Sequence, residues 1–565
     1  MNLPDSTDKL HVNLFADLCA NYGLRKLVIS PGSRNAPLIL AFHHQPEIDC
    51  YVVPDERSAA YFAIGIAQYT GQPVGLLCTS GTAALNYTPA MAEAYYQQLP
   101  LVAITADRPP EWVDQLDGQT INQANIYGNF TVYQAQLPVE AFSQNEVWHM
   151  GRMVRDGFRL LSLKHKPIHF NVPLREPLYN MAEKTKSLVK PAVYDTPGIV
   201  SYDNGELLVN LRRFSKIILV FGMNRPDALV SRLVGQIISQ QNVVVFYETL
   251  SNIPLEGAFQ TSDVLFTALH NKPVETLLPE LVISFGDILL SKPLKQWIRS
   301  LKNTERWIVS ESDMVPDVFQ GVERIINLQP ENFLRNLLEL YEPKGTAYVN
   351  EWYKIYQTHD RLQVDYSNAV PWSDMLVFRI LSQQVPGNSL IHLGNSSPVR
   401  YAQFFKWKEG IKFFGNRGTA GIDGTTSTAL GMASQTDELV TLITGDVSFL
   451  YDSNALWNKY KRKNFKIIVI NNRGGNIFSL IPGPDGTGLL NDYFTTHNPV
   501  SMEYLCKAYG ISYYLSRNEQ ELTSELEHFY SDPICSLIEV QTDPTVNTQV
   551  WKDYFTTIKN KLHYE

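Results

Sequence analysis

The sequence has few cysteines, no excess of basic charge, no long apolar run and no glycine fingerprint for a nucleotide. Lys and Arg number 48 against 57 Asp and Glu, a formal charge of −9. That balance argues against a general nucleic-acid binder, which carries a basic excess or stripe. Net charge does not draw in acidic ligands either, so an acidic substrate must be met by local Arg or Lys clusters. The five cysteines (Cys19, Cys50, Cys78, Cys506 and Cys535) form no CxxC pair and no His-Cys cluster. Their scatter argues against a disulfide framework or zinc site and predicts reduced, mostly buried thiols. The opening stretch MNLPDSTDKLHVNLFADLCA is too polar for a signal peptide, and no apolar stretch approaches membrane-spanning length. The expectation is a soluble cytoplasmic protein. The sequence shows no GxxxxGK followed by Ser or Thr, no GxGxxG after a strand, no tandem repeat and no low-complexity tract.

What recurs is a short apolar run, closed by polar or Gly residues and followed by a helix-like segment. The first block holds KLVISPG (26–32), CYVVPDE (50–56), PVGLLCTSG (73–81), PLVAITADR (100–108) and PIHFNVPL (167–174). The second holds KIILVFG (216–222), NVVVFYET (242–249), LVISFGD (281–287) and RWIVSES (306–312), and the third SLIHLGNS (389–396), LVTLITGD (439–446), KIIVINN (466–472) and CSLIEVQ (535–541). Runs of this kind are buried parallel strands, and their alternation with helices predicts an α/β protein of doubly wound sheets. Two polar, Pro-bearing stretches, 184–198 and 340–352, read as connectors. They divide the chain into 1–185, 186–345 and 346–565. In such sheets ligands sit at the carboxyl ends of strands.

Two strand ends in the third block form a constellation. LVTLITGDVSFLYDSNAL turns at Gly445-Asp446 into a helix that Asp452 or Ser453 is placed to cap. The strand KIIVI ends in Asn471-Asn472-Arg473-Gly474-Gly475. Asp446 and Asn472 are 26 residues apart, about one βαβ crossover, which brings both to one sheet edge. A carboxylate, an amide oxygen and the Gly474 carbonyl suit a hard cation such as Mg²⁺, with phosphate oxygens completing its shell. Gly445, Gly474 and Gly475 let the backbone approach a phosphate. Two ordinary Asx turns are the plainer alternative. The GPDGTG at 483–488 falls in a loop and reads as a flexible lid rather than a phosphate loop.

GDxSxxxDxNxL followed by NNxGG resembles the fingerprint of thiamine-diphosphate enzymes, which are built from pyrimidine-binding, central and diphosphate-binding domains. The resemblance implies three doubly wound parallel-sheet domains and thiamine diphosphate with Mg²⁺ or Mn²⁺. It also implies a homodimer or homotetramer with active sites between subunits. Asp446, Asn472 and Gly474 would hold the metal, with Ser396, Ile422, Gly445, Ser448, Gly475 and Ile477 around the cofactor. Glu56, ending CYVVPDE before the helix-like RSAAYFAIGIA, matches the glutamate that faces the aminopyrimidine, a group whose chemistry needs a carboxylate. Asp55 and Glu111 are the rival acids.

PGSRNAPL, TADRPPE, INQAN, GNSSPVR, NRGTAGIDG and NNRGGNIFSLIP together resemble the menaquinone-biosynthesis branch of this family. That branch implies a transferase joining 2-oxoglutarate to isochorismate. The resemblance places Ser33, Arg34, Arg108 and Lys292 at isochorismate, Ser396 and Arg400 at the 2-oxoglutarate carboxylate, and Asn122 among the substrate-binding residues. It sets Gln123 and Arg417 near the reacting centre, and Ile477 and Phe478 along the wall, where plain core packing is a competing role. Arg suits bidentate grip on carboxylates. One departure is Lys292-Pro293, where some members carry Lys-Arg. The central block has no dinucleotide fingerprint, which counts against an acetohydroxyacid synthase. Another thiamine carboligase or 2-oxo acid decarboxylase and a catalytically silent ligand-sensing relative are the alternatives.

Overall fold

The apolar runs form strands because each has enough β-branched and aliphatic residues to be covered on both faces. The computed structural model describes residues 6–183, 211–240, 242–286, 288–342, 345–480, 483–497 and 499–562. Three six-stranded sheets, all parallel, take their strands from three successive stretches of chain. The first comprises Lys26–Ile29, Asp49–Val52, Val74–Cys78, Leu101–Asp107, Tyr133–Gln136 and Ile168–Pro173. The third comprises Leu390–Leu393, Lys412–Gly415, Val440–Gly445, Phe465–Asn471, Ser512–Ser516 and Ser536–Gln541. Numbered in chain order, both run 2-1-3-4-6-5 across the sheet. The central sheet (Ile217–Phe221, Val244–Tyr247, Phe259–Gln260, Leu281–Phe285, Glu305–Val309, Arg324–Ile326) runs 3-2-1-4-5-6, the order of dinucleotide-binding folds.

In the first and third sheets the order reverses between the first and third strands. A crevice therefore opens where neighbouring connections leave to opposite faces. In the first sheet the segments following these strands carry Ser33-Arg34 and Ser80. In the third they carry Ser396 and Asp446. Sheet topology thus places Ser33, Arg34, Ser396 and Asp446 at two switch points.

These two sheets are locked together by the helices Glu56–Thr70 and Thr425–Ala433, whose buried residues join one apolar core. The crossing is close enough to require glycine. A Cβ on Gly65 would lie 1.9 Å from the Thr428 carbonyl oxygen, and one on Gly431 2.0 Å from that of Phe62. Asp55 caps the first helix by accepting from Ser58 N at 2.9 Å, and Gly71 ends it at φ +74°.

The connector 184–198 lies outside the described residues. The connector expected at 340–352 is in part helical: its last six residues begin the helix Ala347–Asn368. Tyr348, Trp352 and Tyr356, four residues apart, pack into the central core, and Leu362 packs into the third. The segment is a packed helix because its aromatics share one face. All five cysteines are free thiols, and no described helix is long and apolar enough to cross a membrane.

Candidate functional site

The strand Val440–Gly445 ends at the switch point of the third sheet, and the helix Asp446–Tyr451 begins at once with Asp446. Gly445 stands at the N-cap of this helix, and Asp452 ends it and takes the N-cap position of the short 3-10 turn Ser453–Leu456. Its side chain makes no cap bond there and instead accepts from Ser427 N (2.7 Å) and Oγ (2.9 Å).

Asp446 is 1% exposed, and its Oδ2 accepts from Gly474 N at 2.7 Å. Burial, with the nearby Asp374 charge adding to it, pushes its carboxyl up to about 6 against the Gly474 and Val447 N–H groups. Arg473, Gly474 and Gly475 all have positive φ, which curls the chain after Asn472. At Gly474 a Cβ would lie 2.6 Å from the Thr496 carbonyl oxygen, so the curl requires glycine. The Gly474 carbonyl accepts from Thr496 N at 2.9 Å and keeps a second lone pair.

A cavity of about 410 Å³ gathers the third-block candidates: Ser396, Ile422, Gly445, Asp446 and Ser448 on one side, Asn472, Gly474, Gly475, Ile477 and Phe478 on the other. Ser448 Oγ donates to the Ile422 carbonyl at 2.6 Å, tying the loop to the helix. Ser396 holds φ +74°, a conformation sparsely populated for a residue with a side chain. It precedes the helix Ser397–Ala402, on which Arg400 donates back to the Ser396 carbonyl at 2.6 Å. Arg417 donates to Asn395 Oδ1 at 2.6 Å, and its Nε is buried without a partner. Arg417 lies within the electrostatic reach of Arg400, and burial lowers the pKa of both. Both guanidiniums are thus held beside the cavity, through Ser396 and Asn395 of its wall.

The first-block candidates fall into two neighbouring cavities. Ser33, Arg34 and Arg108 line one of about 490 Å³. Arg34 donates to the Leu174 carbonyl (3.0 Å) and Glu176 (2.9 Å), and Arg108 pairs with Asp117 (3.1 Å) and Glu176 (3.4 Å). Glu56, half-exposed at the start of its helix, lines another of about 390 Å³ with Thr79, Ser80, Gly81 and Gln119. Burial raises its carboxyl pKa. Its rivals are committed elsewhere. Asp55 is the helix cap and also accepts from Asn454 at 3.0 Å, while exposed Glu111 pairs with Arg175 at 2.5 Å.

Three candidates sit differently. Gln123 is buried with its amide engaged, accepting from Gly81 N (2.8 Å) and donating to the Ala106 carbonyl (3.1 Å) and Asn171 Oδ1 (2.9 Å). It holds the Gly81 turn in place. Asn122 is exposed and accepts from Ala124 N at 3.2 Å. Lys292 is exposed at the first residue of the helix Lys292–Ser300. One turn on, Lys295 is half-buried, donates to the Leu289 carbonyl at 3.0 Å and lies in the field of Arg417 and Glu248.

Sequence reasoning missed Lys295 and also Asp374, which lines the Asp446 cavity from the start of the helix Asp374–Gln384. A lysine following Lys292 at helical spacing was a usable signal for the first. Ser-Asp opening an apolar run signals only a helix start for the second.

Two family models match the chain: "Thiamine pyrophosphate enzyme, N-terminal TPP binding domain" over residues 11–126 and "Thiamine pyrophosphate enzyme, C-terminal TPP binding domain" over residues 394–540. The first match includes Glu56 and the second Asp446 and Asn472. Among solved structures, a benzoylformate decarboxylase from Polynucleobacter necessarius superposes with a TM-score of 0.72 at 16% identity, covering 95% of this chain and 99% of that one. Among curated relatives, a 2-succinyl-5-enolpyruvyl-6-hydroxy-3-cyclohexene-1-carboxylate synthase from Flavobacterium johnsoniae is 37% identical, covering 95% of this chain and 97% of its own. One of the same name from Porphyromonas gingivalis is 37% identical over 99% of both chains. The chain belongs to the 2-succinyl-5-enolpyruvyl-6-hydroxy-3-cyclohexene-1-carboxylate synthase family of thiamine-diphosphate enzymes.

Proposed function

We propose that this enzyme makes 2-succinyl-5-enolpyruvyl-6-hydroxy-3-cyclohexene-1-carboxylate and CO₂ in menaquinone biosynthesis, by decarboxylating 2-oxoglutarate and adding the four-carbon remainder to isochorismate in a 1,4 sense. The observation that carries this reading is the convergence of Ser396, Ile422, Asp446, Asn472 and Gly474 on one cavity, beside a pair of half-buried arginines.

The cavity fits a divalent cation by its charge. Asp446 and Asp374 are both buried in its wall, and among the described residues neither makes an ion pair. Two carboxylates held this way need a counter-cation or protons. Asp446, the Asn472 amide oxygen and the Gly474 carbonyl are hard oxygen donors suited to Mg²⁺ or Mn²⁺. Gly445, Gly475 and Ser448 would cradle the diphosphate, and Ile422 and Ile477 would flank the ring system. Thiamine diphosphate, when bound, supplies the electron sink for loss of CO₂.

The protein's own contribution is positioning and charge neutralisation. Glu56 presents a carboxyl whose proton affinity burial raises, and it is the group placed to hold and return a proton. Arg400 and Arg417 hold the carboxylate that 2-oxoglutarate keeps. Ser33, Arg34 and Arg108 meet the carboxylates of the acceptor, with Lys292 and Asn122 at the mouth. Gln123 supports the neighbouring Glu56 pocket through Gly81. Glu56 and Asp446 line cavities with no residue in common. Each half is completed by a second copy, in a homodimer or homotetramer. The domains are 1–185, 186–345 and 346–565, and the enzyme works in the cytoplasm.

The test is to supply 2-oxoglutarate with isochorismate, thiamine diphosphate and Mg²⁺ and to identify the product by mass. Turnover of 2-oxoglutarate with simple aldehydes but not with isochorismate would overturn the acceptor assignment.

A further inference from the structure

Asn472 can offer a cation either its amide oxygen or its NH₂ group, and only the oxygen binds. What decides between them is on the far side of the side chain. Asn472 Nδ2 donates to Asp374 Oδ2 at 2.9 Å, and Asn472 Oδ1 accepts from Asn476 N at 3.3 Å. A carboxylate accepts only, and a backbone N–H donates only, so both neighbours require the same orientation of the amide.

Asp374 is itself held rigidly. It is fully buried at the first position of the helix Asp374–Gln384, and its backbone N donates to Asn547 Oδ1 at 2.8 Å. Its Oδ1 accepts from Thr542 Oγ1 at 2.6 Å, and Thr542 in turn accepts from Asn547 Nδ2 at 3.0 Å. Every link in this chain has one sense of donation. Asp374 also shares the cavity wall with Asp446, so its charge adds to the attraction for a cation.

We propose that Asp374 is the positioning residue of the metal site: it fixes the Asn472 amide so that Oδ1, not Nδ2, faces the cation held with Asp446. The proposal rests on the cofactor reading above and assigns to this chain a buried carboxylate that binds metal through a neighbour. Asp374→Asn keeps the size and the Thr542 hydrogen bond through its amide oxygen, but turns an NH₂ toward Asn472. The Asn472 amide must then rotate, aiming its own NH₂ at the cation and at Asn476 N–H. The reciprocal pair Asp374→Asn with Asn472→Asp restores the sense of every bond, because residue 374 donates to a carboxylate whose other oxygen faces the cavity.

The experiment is Mg²⁺ titration by calorimetry with thiamine diphosphate saturating, on the full chain, alongside metal-free thermal unfolding. Asp374→Asn is expected to weaken Mg²⁺ binding about 10- to 100-fold, the range for a lost partner behind a metal ligand, with metal-free unfolding at or above the wild-type temperature. The double variant is expected to recover most of that loss. Thr542→Val, which spares the Asp374–Asn472 bond, is expected to bind Mg²⁺ within about threefold of wild type. Wild-type affinity in Asp374→Asn, or a double variant as weak as the single one, would overturn the proposal while leaving the cofactor reading intact. Wild-type protein that binds no Mg²⁺ would overturn the cofactor reading instead. Should Asp374→Asn fail to fold, the double variant decides alone: Mg²⁺ affinity near wild type supports the inference, and loss of affinity refutes it.

Discussion

Gly65→Ala is the sharpest probe of how the two cofactor-bearing sheets are joined. The new Cβ would meet the Thr428 carbonyl oxygen at 1.9 Å and Met432 N at 2.8 Å, so backbone, not a movable side chain, must give way. Alanine gains about 1 kcal/mol of helix propensity over glycine. Forcing two packed helices apart costs about 1–3 kcal/mol or more, which outweighs that gain. Gly235, inside the helix Ala228–Gln240 with nothing within 4 Å of a built Cβ, is the control. Gly235→Ala is expected to stabilise by about 1 kcal/mol, the propensity gain alone. Gly65→Ala is expected to lower the unfolding temperature and, because Glu56 begins the displaced helix, to reduce kcat/KM as well. Thermal unfolding and steady-state kinetics of the two variants in parallel give opposite signs if the crossing is as tight as described. A Gly65→Ala protein as stable and active as wild type would refute it.

Glu56→Gln is expected to fold normally and turn over about 10²–10⁴-fold more slowly, the range for positioned proton transfer; near-normal turnover removes Glu56 from the chemistry. Arg400→Ala is expected to cost about 2–4 kcal/mol in kcat/KM for 2-oxoglutarate, the scale of a buried charge-assisted pair. The loss with a 2-oxo monoacid should be far smaller, and equal losses on both would place Arg400 outside the carboxylate pocket. Burial raises the Asp452 carboxyl to about 7, above its unfolded value of 3.8, so the folded state binds the proton more tightly. Its contribution to stability therefore falls as pH rises from about 4 to 7, and Asp452→Asn should flatten that window in urea unfolding. An unchanged pH profile would show that Asp452 does not titrate there.

Where the chain showed its fold in advance, it did so through burial. Every interior strand of the three sheets coincides with an apolar run, because a strand covered on both faces has no polar positions to spare. Tyr133–Gln136, Phe259–Gln260, Arg324–Ile326, Lys412–Gly415 and Ser512–Ser516 had no such signature, and each lies at a sheet edge. Edge strands are short and partly wet, so their sequences resemble loops. The candidate site divides in the same way. Asp446, Asn472 and the glycines were legible because backbone turns at strand ends demand them. Asp374 was not, since it reaches the site through a fold contact that local spacing does not encode, whereas Lys295 carried a signal in its spacing from Lys292. The helix at Ala347–Asn368 had a readable aromatic period, at Tyr348, Trp352 and Tyr356, hidden behind the Pro and Gly just before it.

The central claim is that the cavity around Asp446 and Asn472 holds thiamine diphosphate with a divalent cation. Thermal unfolding of the wild-type chain, with thiamine diphosphate and Mg²⁺ titrated together and separately, tests it most directly. Binding to the folded state alone stabilises by mass action, about 2.7 kcal/mol at a hundredfold excess over Kd. The account predicts an unfolding temperature that climbs with the two ligands together, with that gain abolished in Asp446→Ala. No shift across a wide concentration range, or the same shift in Asp446→Ala, would contradict it.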